Sequence, residues 1–208
     1  HVVFFYNYEI YIMNIIILGA GSTAISVTEI ILSTKIFNVM GYVGTDIENK
    51  KYGNKIIHKN IPFLGDKESL KNIPKKKSPG FVSAIGNRYF RELAFYEAIK
   101  AEFIPVNIIS NKSSIENSSN IESGVIIFPH THISFNVNIS ENSLIETNVV
   151  IESNVSIGSN CNIESSSIVS GNVIIKKNVV IGKNSVIAPD IIIGKNQFIM
   201  PNSYIENN

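Results

Sequence analysis

The chain has 208 residues, enough for one large or two small domains, and 44% of them are hydrophobic, which is sufficient for a buried core. The formal net charge at pH 7 is +1, so the composition indicates neither a nucleic-acid-binding nor a membrane-binding protein. The single cysteine, Cys161, excludes a disulfide framework within the chain, and a cytoplasmic location is therefore expected.

Residues 1–12 are aromatic and apolar, but they lack the basic start and the small-residue cleavage site of a signal peptide, and Glu9 interrupts them. The run is also short for a membrane span. Because Met13 directly precedes a strand-like run, we interpret residues 1–12 as an extension before the native start, and we expect a first domain at residues 13–108.

Residues 14–18 form a continuous aliphatic run, as expected of a buried parallel strand. Gly19, Gly21 and Ser22 follow at once, and a helical pattern covers residues 25–32. This order of strand, glycine turn and helix is typical of a nucleotide-binding α/β domain, in which the backbone approaches a phosphate at the helix N-terminus. A glycine turn that binds no ligand is the alternative.

The rest of the first domain offers three more candidates for nucleotide binding. Asp46 follows a second predicted strand at residues 37–43, where an acidic residue usually binds ribose, although an ordinary loop aspartate explains it equally well. Asn87 ends a third strand, and Arg91 lies in the first turn of the next helix, where a phosphate or simple solvation would explain a cation. A basic turn at residues 75–77 is interpreted as solvated. Three or four short strands suit a mononucleotide better than a dinucleotide.

From residue 109 onward, an aliphatic side chain recurs at every sixth position. The series is Ile109, Ile115, Ile121, Ile127, Ile133, Ile139, Ile145, Ile151, Ile157, Ile163, Val169, Ile175, Ile181, Ile187, Ile193, Ile199 and Ile205. A period of six indicates a parallel β-helix with three hexads, or 18 residues, per coil. Asparagine recurs three positions after the aliphatic residue, and it tolerates the left-handed backbone conformation that a corner requires. A right-handed solenoid or an irregular β-stack is the alternative.

His130 and His132 flank one predicted corner, in columns expected to face outward. One coil of 18 residues places His132 beneath Val150 and residue 135 beneath Ser153. The pair is either a functional group or an ordinary surface pair. Its spacing would suit a metal, but no third ligand is visible in the sequence, so we predict no metal site.

Both halves together resemble one family. The motifs are Gly19-Ala20-Gly21, the Ala84-Ile85-Gly86-Asn87 stretch with Arg91, Ile151-Glu152, and Ser170-Gly171-Asn172. They resemble bacterial nucleotide-sugar acyltransferases of the hexapeptide-repeat family, such as the N-acetyltransferases of UDP-4-amino sugars and of perosamine and the proteins similar to sialic acid O-acetyltransferases. The resemblance covers nearly all of residues 13–208.

This resemblance implies an α/β Rossmann-like small domain that binds the nucleotide of a sugar, followed by a left-handed parallel β-helix at residues 109–208 that forms a homotrimer. Acetyl-CoA, or another acyl-CoA, would lie along the coils between neighbouring subunits. The resemblance points to Gly171, Asn172, Gly182 and Ala188 for acyl-CoA and to Glu152, Ser153 and Asn154 for the catalytic groove.

The chain departs from the family at the catalytic base. The family has a histidine after the isoleucine-glutamate pair, but here Ser153 follows Glu152, and a second family histidine falls on Ser110-Asn111. A serine hydroxyl cannot replace imidazole as a base near neutral pH. Two hypotheses follow: an acyltransferase in which His132 or His130 is a displaced base, or a catalytically silent protein that binds a nucleotide sugar.

Overall fold

The structure is a computed structural model that describes residues 12–53, 55–74 and 79–207. The interpretations of residues 1–11 and of the basic turn at 75–77 lie outside the described residues. Within the described ranges, no helix is both long and apolar enough to cross a membrane.

The N-terminal domain is built on a six-stranded sheet among the described residues. Its strands are β1 (Met13–Leu18), β2 (Phe37–Gly44), β3 (Ile56–His58), β4 (Ile61–Asp66), β5 (Gly80–Ser83) and β6 (Ile104–Pro105). Its helices are α1 (Ser22–Thr34), α2 (Asp46–Tyr52), α3 (Arg88–Lys100) and a 3-10 helix at Lys67–Lys71. The order is β3-β4-β2-β1-β5-β6, with only β3 antiparallel to its neighbour. The sheet has more strands than the three or four predicted, because it also includes the short strands β3 and β6.

Strand β1 lies at the centre of the sheet because its aliphatic run is buried on both faces. Ile15 and Ile17 pack on the side of α1, whereas Ile16 packs with Phe81 and Phe95 on the side of α3. The chain continues from β1 to β2 on one side of the sheet and later to β5 on the other. A crevice therefore opens at the carboxyl ends of these strands, where ligands bind in open parallel sheets.

Residues from Ile108 onward form a three-sided, left-handed parallel β-helix, as predicted. Its strands are β7 (Ile108–Ile109), β8 (Ser114–Ile115), β9 (Asn120–Ile121), β10 (Ile126–Ile127), β11 (His132–Ile133), β12 (Asn138–Ile139), β13 (Leu144–Ile145), β14 (Val150–Ile151), β15 (Ser156–Ile157), β16 (Asn162–Ile163), β17 (Ile168–Val169), β18 (Ile174–Ile175), β19 (Val180–Ile181), β20 (Val186–Ile187), β21 (Ile192–Ile193), β22 (Phe198–Ile199) and β23 (Tyr204–Ile205). Ile127 pairs with Ile145 and Ile133 with Ile151, so the coil length of 18 residues is confirmed. The second residue of each strand fills a continuous interior core.

The corners are left-handed backbone turns, and they align into three edges along the β-helix. The first edge is defined by Asn136, Asn154, Asn172 and Asp190; the second by Asn142, Asn160, Asn178 and Asn196; the third by His130, Asn148, Ser166, Asn184 and Asn202. All of these residues have φ between 55° and 65°. The asparagine column is thus confirmed, and His130, which was expected to flank a corner, is itself the corner residue.

Asparagine side chains also bridge successive coils at these corners. On the first edge, the Nδ2 group of Asn136 donates to Asn154, Asn154 donates to Asn172, and Asn172 donates to Asp190, over 2.8–3.1 Å. Bonds that run head to tail polarise one another and so strengthen the row. The column therefore supplies both the turn conformation and a ladder that ties the coils together.

The N-terminal domain covers the sheet formed by β7, β10, β13, β16, β19 and β22. The outward-facing residues Ile108, Ile126 and Leu144 are buried in the same core as α1. The two domains therefore share one hydrophobic core at this contact. Within residues 12–53, 55–74 and 79–207, no other helix or sheet packs on the remaining two sheets of the β-helix.

Candidate functional site

A cavity of about 380 Å³ lies at the carboxyl edge of the N-terminal sheet. Apolar side chains form its walls, namely Leu18, Val43, Leu70, Ile85, Phe90, Leu93 and Ala94. Its charged lining residues are Asp46, Glu48, Lys67 and Glu97. Apolar walls with a few polar groups, in a volume of this size, are typical of small-molecule sites.

The glycine turn between β1 and α1 has the geometry that the sequence predicts. Gly19 has φ of 102°, and a side chain there would come within 2.9 Å of the Ala84 carbonyl oxygen, so only glycine fits. Gly21 is the N-cap of α1, and no side chain caps the helix there. Because Ser22 is the first helical residue, the N–H groups of the first turn of α1 have no acceptor within the helix and can donate to a ligand, whereas the Gly19 N–H already donates to the Val43 carbonyl oxygen.

Glu48 is a site residue that the sequence analysis missed. Its Oε1 atom accepts a hydrogen bond of 3.2 Å from the Ala20 N–H, and its Oε2 atom accepts one of 2.8 Å from the Thr45 N–H. The carboxylate thus bridges the β1–α1 and β2–α2 turns. The detectable signal was a capping box, a threonine followed three residues later by glutamate.

Asp46 lies in the first turn of α2 and also lines the cavity, with its side chain exposed. Together with Glu48 it makes the end of the cavity near the glycine turn negatively charged. Carboxylates there repel a phosphate but accept hydrogen bonds from hydroxyl groups. This end of the cavity therefore suits ribose, whereas a phosphate has to lie outside it.

Asn87 and Arg91 have structural roles in this arrangement. The Asn87 side chain caps α3 by accepting hydrogen bonds from the N–H groups of Tyr89 (3.0 Å) and Phe90 (3.3 Å). Arg91 is 1% exposed, so its predicted position beside phosphates needs correction. Its guanidinium donates to the carbonyl oxygens of Ile85, Gly86, Asn142, Asn160 and Cys161.

Arg91 therefore joins the N-terminal domain to the β-helix. Burial lowers the pKa of its guanidinium to about 10, so the group remains charged at neutral pH. Its carbonyl partners lie up to 70 residues away in the chain, beyond the reach of any local sequence pattern. The arginine holds the loop between β5 and α3, which carries Ile85 into the cavity wall.

Most of the predicted catalytic and acyl-CoA residues lie together on the first edge. Glu152 accepts a hydrogen bond of 2.9 Å from the Gly171 N–H through Oε2, and Asn154 donates to Asn172 over 3.1 Å. Ala188 lies in the next coil, two residues before the corner at Asp190. Residues from three successive coils are thus aligned along one edge.

Ser153 is half-buried on this edge, and its Oγ lies 2.9 Å from the Oγ of Ser134. Phe135, which is 56% exposed, lies one coil below Ser153, as the coil length predicts. The two hydroxyls can donate a hydrogen bond to a developing oxyanion, but neither can act as a base near neutral pH. Phe135 gives this edge an exposed apolar surface that the sequence analysis did not assign to the site.

The two candidate histidines lie apart from Ser153 within one chain. His132 pairs in register with Val150 of the next coil. Ser153 is three residues beyond Val150, which corresponds to roughly 10 Å of extended chain. Its side chain is exposed on the sheet between the third and first edges. His130 is on the third edge and is therefore farther from Ser153 than His132 is.

Gly182 lies near the third edge, away from the other predicted acyl-CoA residues. A side chain at this position would come within 2.5 Å of the Pro201 nitrogen in the next coil. The absence of a Cβ therefore allows close stacking of two coils, which is a structural explanation for this glycine.

A second, smaller cavity of about 220 Å³ lies where α1 meets the β-helix. Its hydroxyl groups come from Ser22, Thr23, Ser26, Thr147 and Ser165, and Phe128 and Glu146 complete the lining. The two cavities have no lining residue in common. Among the described residues, no group of three or more histidine, cysteine, aspartate or glutamate side chains could hold a metal ion.

Two sequence families match the chain. Residues 14–98 match the family described as PglD N-terminal domain, and residues 172–207 match the bacterial transferase hexapeptide family (six repeats). The chain therefore combines a first segment similar to the PglD N-terminal domain with a last segment similar to bacterial transferase hexapeptide repeats. No curated protein matches it significantly by sequence.

Several solved structures share the fold over nearly the whole chain. A mutant of perosamine N-acetyltransferase from Caulobacter crescentus, in complex with CoA and GDP-perosamine, has a TM-score of 0.87 at 20% identity, covering 95% of this chain and 90% of that one. The acetyltransferase domain of PglB from Neisseria gonorrhoeae has a TM-score of 0.84 at 16% identity, with coverages of 94% and 92%. WeeI from Acinetobacter baumannii has 0.82 at 18%, with coverages of 93% and 92%.

Proposed function

We propose that this protein transfers an acyl group, most simply acetyl, from acyl-CoA to the amino group of a nucleotide-linked amino sugar in the biosynthesis of bacterial surface glycans. One observation carries the proposal: a cavity of small-molecule size at the glycine turn and a β-helix edge with residues of the predicted acyl-transfer site occur in one chain, whose two domains are joined through Arg91. In the perosamine N-acetyltransferase that shares this fold, CoA and GDP-perosamine are bound together.

The nucleotide would lie across the glycine turn. Asp46 and Glu48 would accept hydrogen bonds from the ribose hydroxyls inside the first cavity. The phosphates would lie beyond Gly19 and Gly21, at the N-terminus of α1, where the N–H of Ser22 and the helix dipole favour negative charge. The hydroxyl groups of the second cavity are within the same region of the fold.

The acyl-CoA would lie along the first edge, beside Gly171, Asn172 and Ala188. In a homotrimer, which we propose as the working form in the cytoplasm, this edge would face a neighbouring subunit. The uncovered sheet beside it carries outward Val150, Ile168 and Tyr204, and the last two are 36% and 62% exposed. Apolar residues in such a column are the kind that a subunit contact buries.

In the reaction, the neutral sugar amine attacks the thioester carbonyl carbon, the new C–N bond forms, and the C–S bond breaks. The amine loses one proton, and the departing thiolate gains one to give free CoA. Ser153 and Ser134 would donate hydrogen bonds to the oxygen on which negative charge develops. His132 or His130 would take the proton from the amine, because the serine pair cannot.

A second candidate function is binding without catalysis. The observation that favours it is the hydroxyl pair of Ser153 and Ser134 at the place of the family base, with both histidines at a distance. Such a protein would be stabilised against thermal unfolding by a nucleotide sugar but not by acetyl-CoA.

The deciding experiment incubates micromolar protein with acetyl-CoA and a panel of UDP-, GDP- and dTDP-linked amino sugars. Mass spectrometry of the sugar then reports the gain of one acetyl group, and a thiol reagent independently reports free CoA. An acetylated product is expected with at least one sugar. If no sugar is acetylated, and a nucleotide sugar but not acetyl-CoA raises the melting temperature, the silent alternative is correct.

A further inference from the structure

The end of the first cavity opposite the glycine turn carries one ion pair. Lys67 Nζ, from the 3-10 helix, lies 3.6 Å from Glu97 Oε1 of α3, and both residues line the cavity. This separation is longer than a hydrogen bond, which spans about 2.7–3.2 Å. The side chains are 56% and 41% exposed, so both retain donors and acceptors that a ligand can use.

The distance of this ion pair from Glu48 suits a nucleoside whose ribose lies near Glu48 and whose base extends toward Lys67 and Glu97. Glu48 lies beside the glycine turn, and along α3 the cavity is lined from Phe90 to Glu97. Seven residues of helix span about 10 Å. The walls between the two polar ends are apolar, and they include Leu70, Leu93 and Ala94. With ribose near Glu48, the flat apolar part of a base contacts these walls and its polar edge meets Lys67 and Glu97.

We propose that Lys67 and Glu97 read the edge of the nucleobase and select bases in which a carbonyl group stands beside a ring N–H. These are guanine, uracil and thymine. Lys67 donates to the carbonyl oxygen, and Glu97 accepts from the ring N–H. Guanine adds an exocyclic amino group, so it can engage both carboxylate oxygens. This inference rests on the proposed function, because it assumes that the cavity holds the nucleoside of the sugar donor.

Adenine and cytosine present the opposite order of groups. In the same orientation, their amino group faces the ammonium of Lys67, and their ring nitrogen acceptor faces the carboxylate of Glu97. Each contact then sets donor against donor or acceptor against acceptor, which leaves polar groups unpaired. Opening the ion pair for the correct base costs little, because exposed pairs contribute little stability. The charge-assisted hydrogen bonds that replace it are stronger than neutral ones.

The experiment measures equilibrium binding of GDP, UDP, dTDP, CDP and ADP to the whole chain by calorimetry, without an acyl donor. We expect the tightest keto-base nucleotide to bind at least about 10-fold more tightly than CDP or ADP, from one to two charged hydrogen bonds. Glu97→Gln and Lys67→Met should each bring that ratio close to one by weakening only the keto-base nucleotides. Glu92→Gln is the matched control. Glu92 lies on the same helix as Glu97, but it pairs with Lys177 of the β-helix and does not line the cavity.

The possible results distinguish a failure of base selection from a failure of nucleotide binding. Equal binding of all five nucleotides, or a preference for ADP or CDP, overturns base selection and leaves the proposed function standing. Equal loss of every nucleotide in Glu97→Gln, with an unchanged melting temperature, also overturns it. If the wild-type chain binds no nucleotide, the nucleotide-sugar part of the proposed function fails as well.

Discussion

The N-terminal domain and the β-helix place their polar side chains in opposite ways. In the N-terminal domain, Glu48 and Glu97 come from different elements and line one cavity. In the β-helix, Asn136, Asn154 and Asn172 occupy equivalent positions in successive coils and form a row. A site in the N-terminal domain therefore depends on which elements meet in the fold. A site on the β-helix depends on which residue occupies a given position of the repeat in each coil.

The largest effect is expected at the residue that joins the two regions. Replacing Arg91 by methionine leaves several buried carbonyl groups without a donor, and we expect a loss of about 4 kcal/mol in the free energy of unfolding. Urea unfolding followed by circular dichroism measures it. Arg88→Met is the control, because Arg88 is half-buried and its guanidinium donates, among the described residues, to the Asn196 and Gln197 carbonyls, 3.1–3.2 Å away. Equal losses in both variants would contradict a special role for Arg91.

The next largest effect is expected at the general base of the acyl transfer, which the first edge itself does not supply. If His132 takes the proton from the amine, His132→Gln should lower the rate of acetyl transfer by roughly 100-fold, the usual contribution of a general base. Steady-state release of CoA measures the rate. The same substitution at His130 tests the other candidate, and His58→Gln, in the N-terminal domain, is the control. If both variants match the control, neither histidine is the base.

In the N-terminal domain, the two candidate ribose acceptors, Glu48 and Asp46, can be compared by substituting each to alanine. We expect Glu48→Ala to weaken nucleotide binding by roughly 10-fold, because the Ala20 and Thr45 N–H groups lose their acceptor and the ribose loses a hydrogen bond. Asp46→Ala should change affinity less, because Asp46 is exposed and no N–H group of the glycine turn is shown to donate to it. Calorimetric titration with the preferred nucleoside diphosphate gives both values. A larger effect at Asp46 would reverse the assignment of the main ribose acceptor.

The smallest effect concerns a single corner of the β-helix. Asn154→Ala should cost about 1–2 kcal/mol, because alanine disfavours the left-handed conformation and also breaks the ladder on the first edge. Asn154→Gly loses the ladder but adopts the conformation freely, so it should cost less. Thermal unfolding of the two variants separates the contributions. Equal losses would mean that the ladder, rather than the backbone conformation, sets the stability of the corner.

Prediction from the sequence succeeded where the governing pattern is local. The aliphatic column, the corner asparagines and the glycine turn after β1 all lie where the sequence indicated, because each depends on backbone preferences within a few residues. It failed where one side chain reaches a distant partner. The place of Arg91 in a helical first turn indicates a phosphate or simple solvation, yet Arg91 is buried and donates to carbonyl groups of both its own domain and the β-helix.

The sequence by itself determined that this protein has a small α/β domain and a β-helix of 18-residue coils, because repetition and hydrophobic periodicity specify how each segment must fold. Only the tertiary structure decided that Arg91 is buried at the domain junction, that Glu48 bridges two turns, and that His130 occupies a corner away from Ser153. Those relations depend on the angle between domains and on which coil lies above which, and no short stretch of sequence encodes such distances.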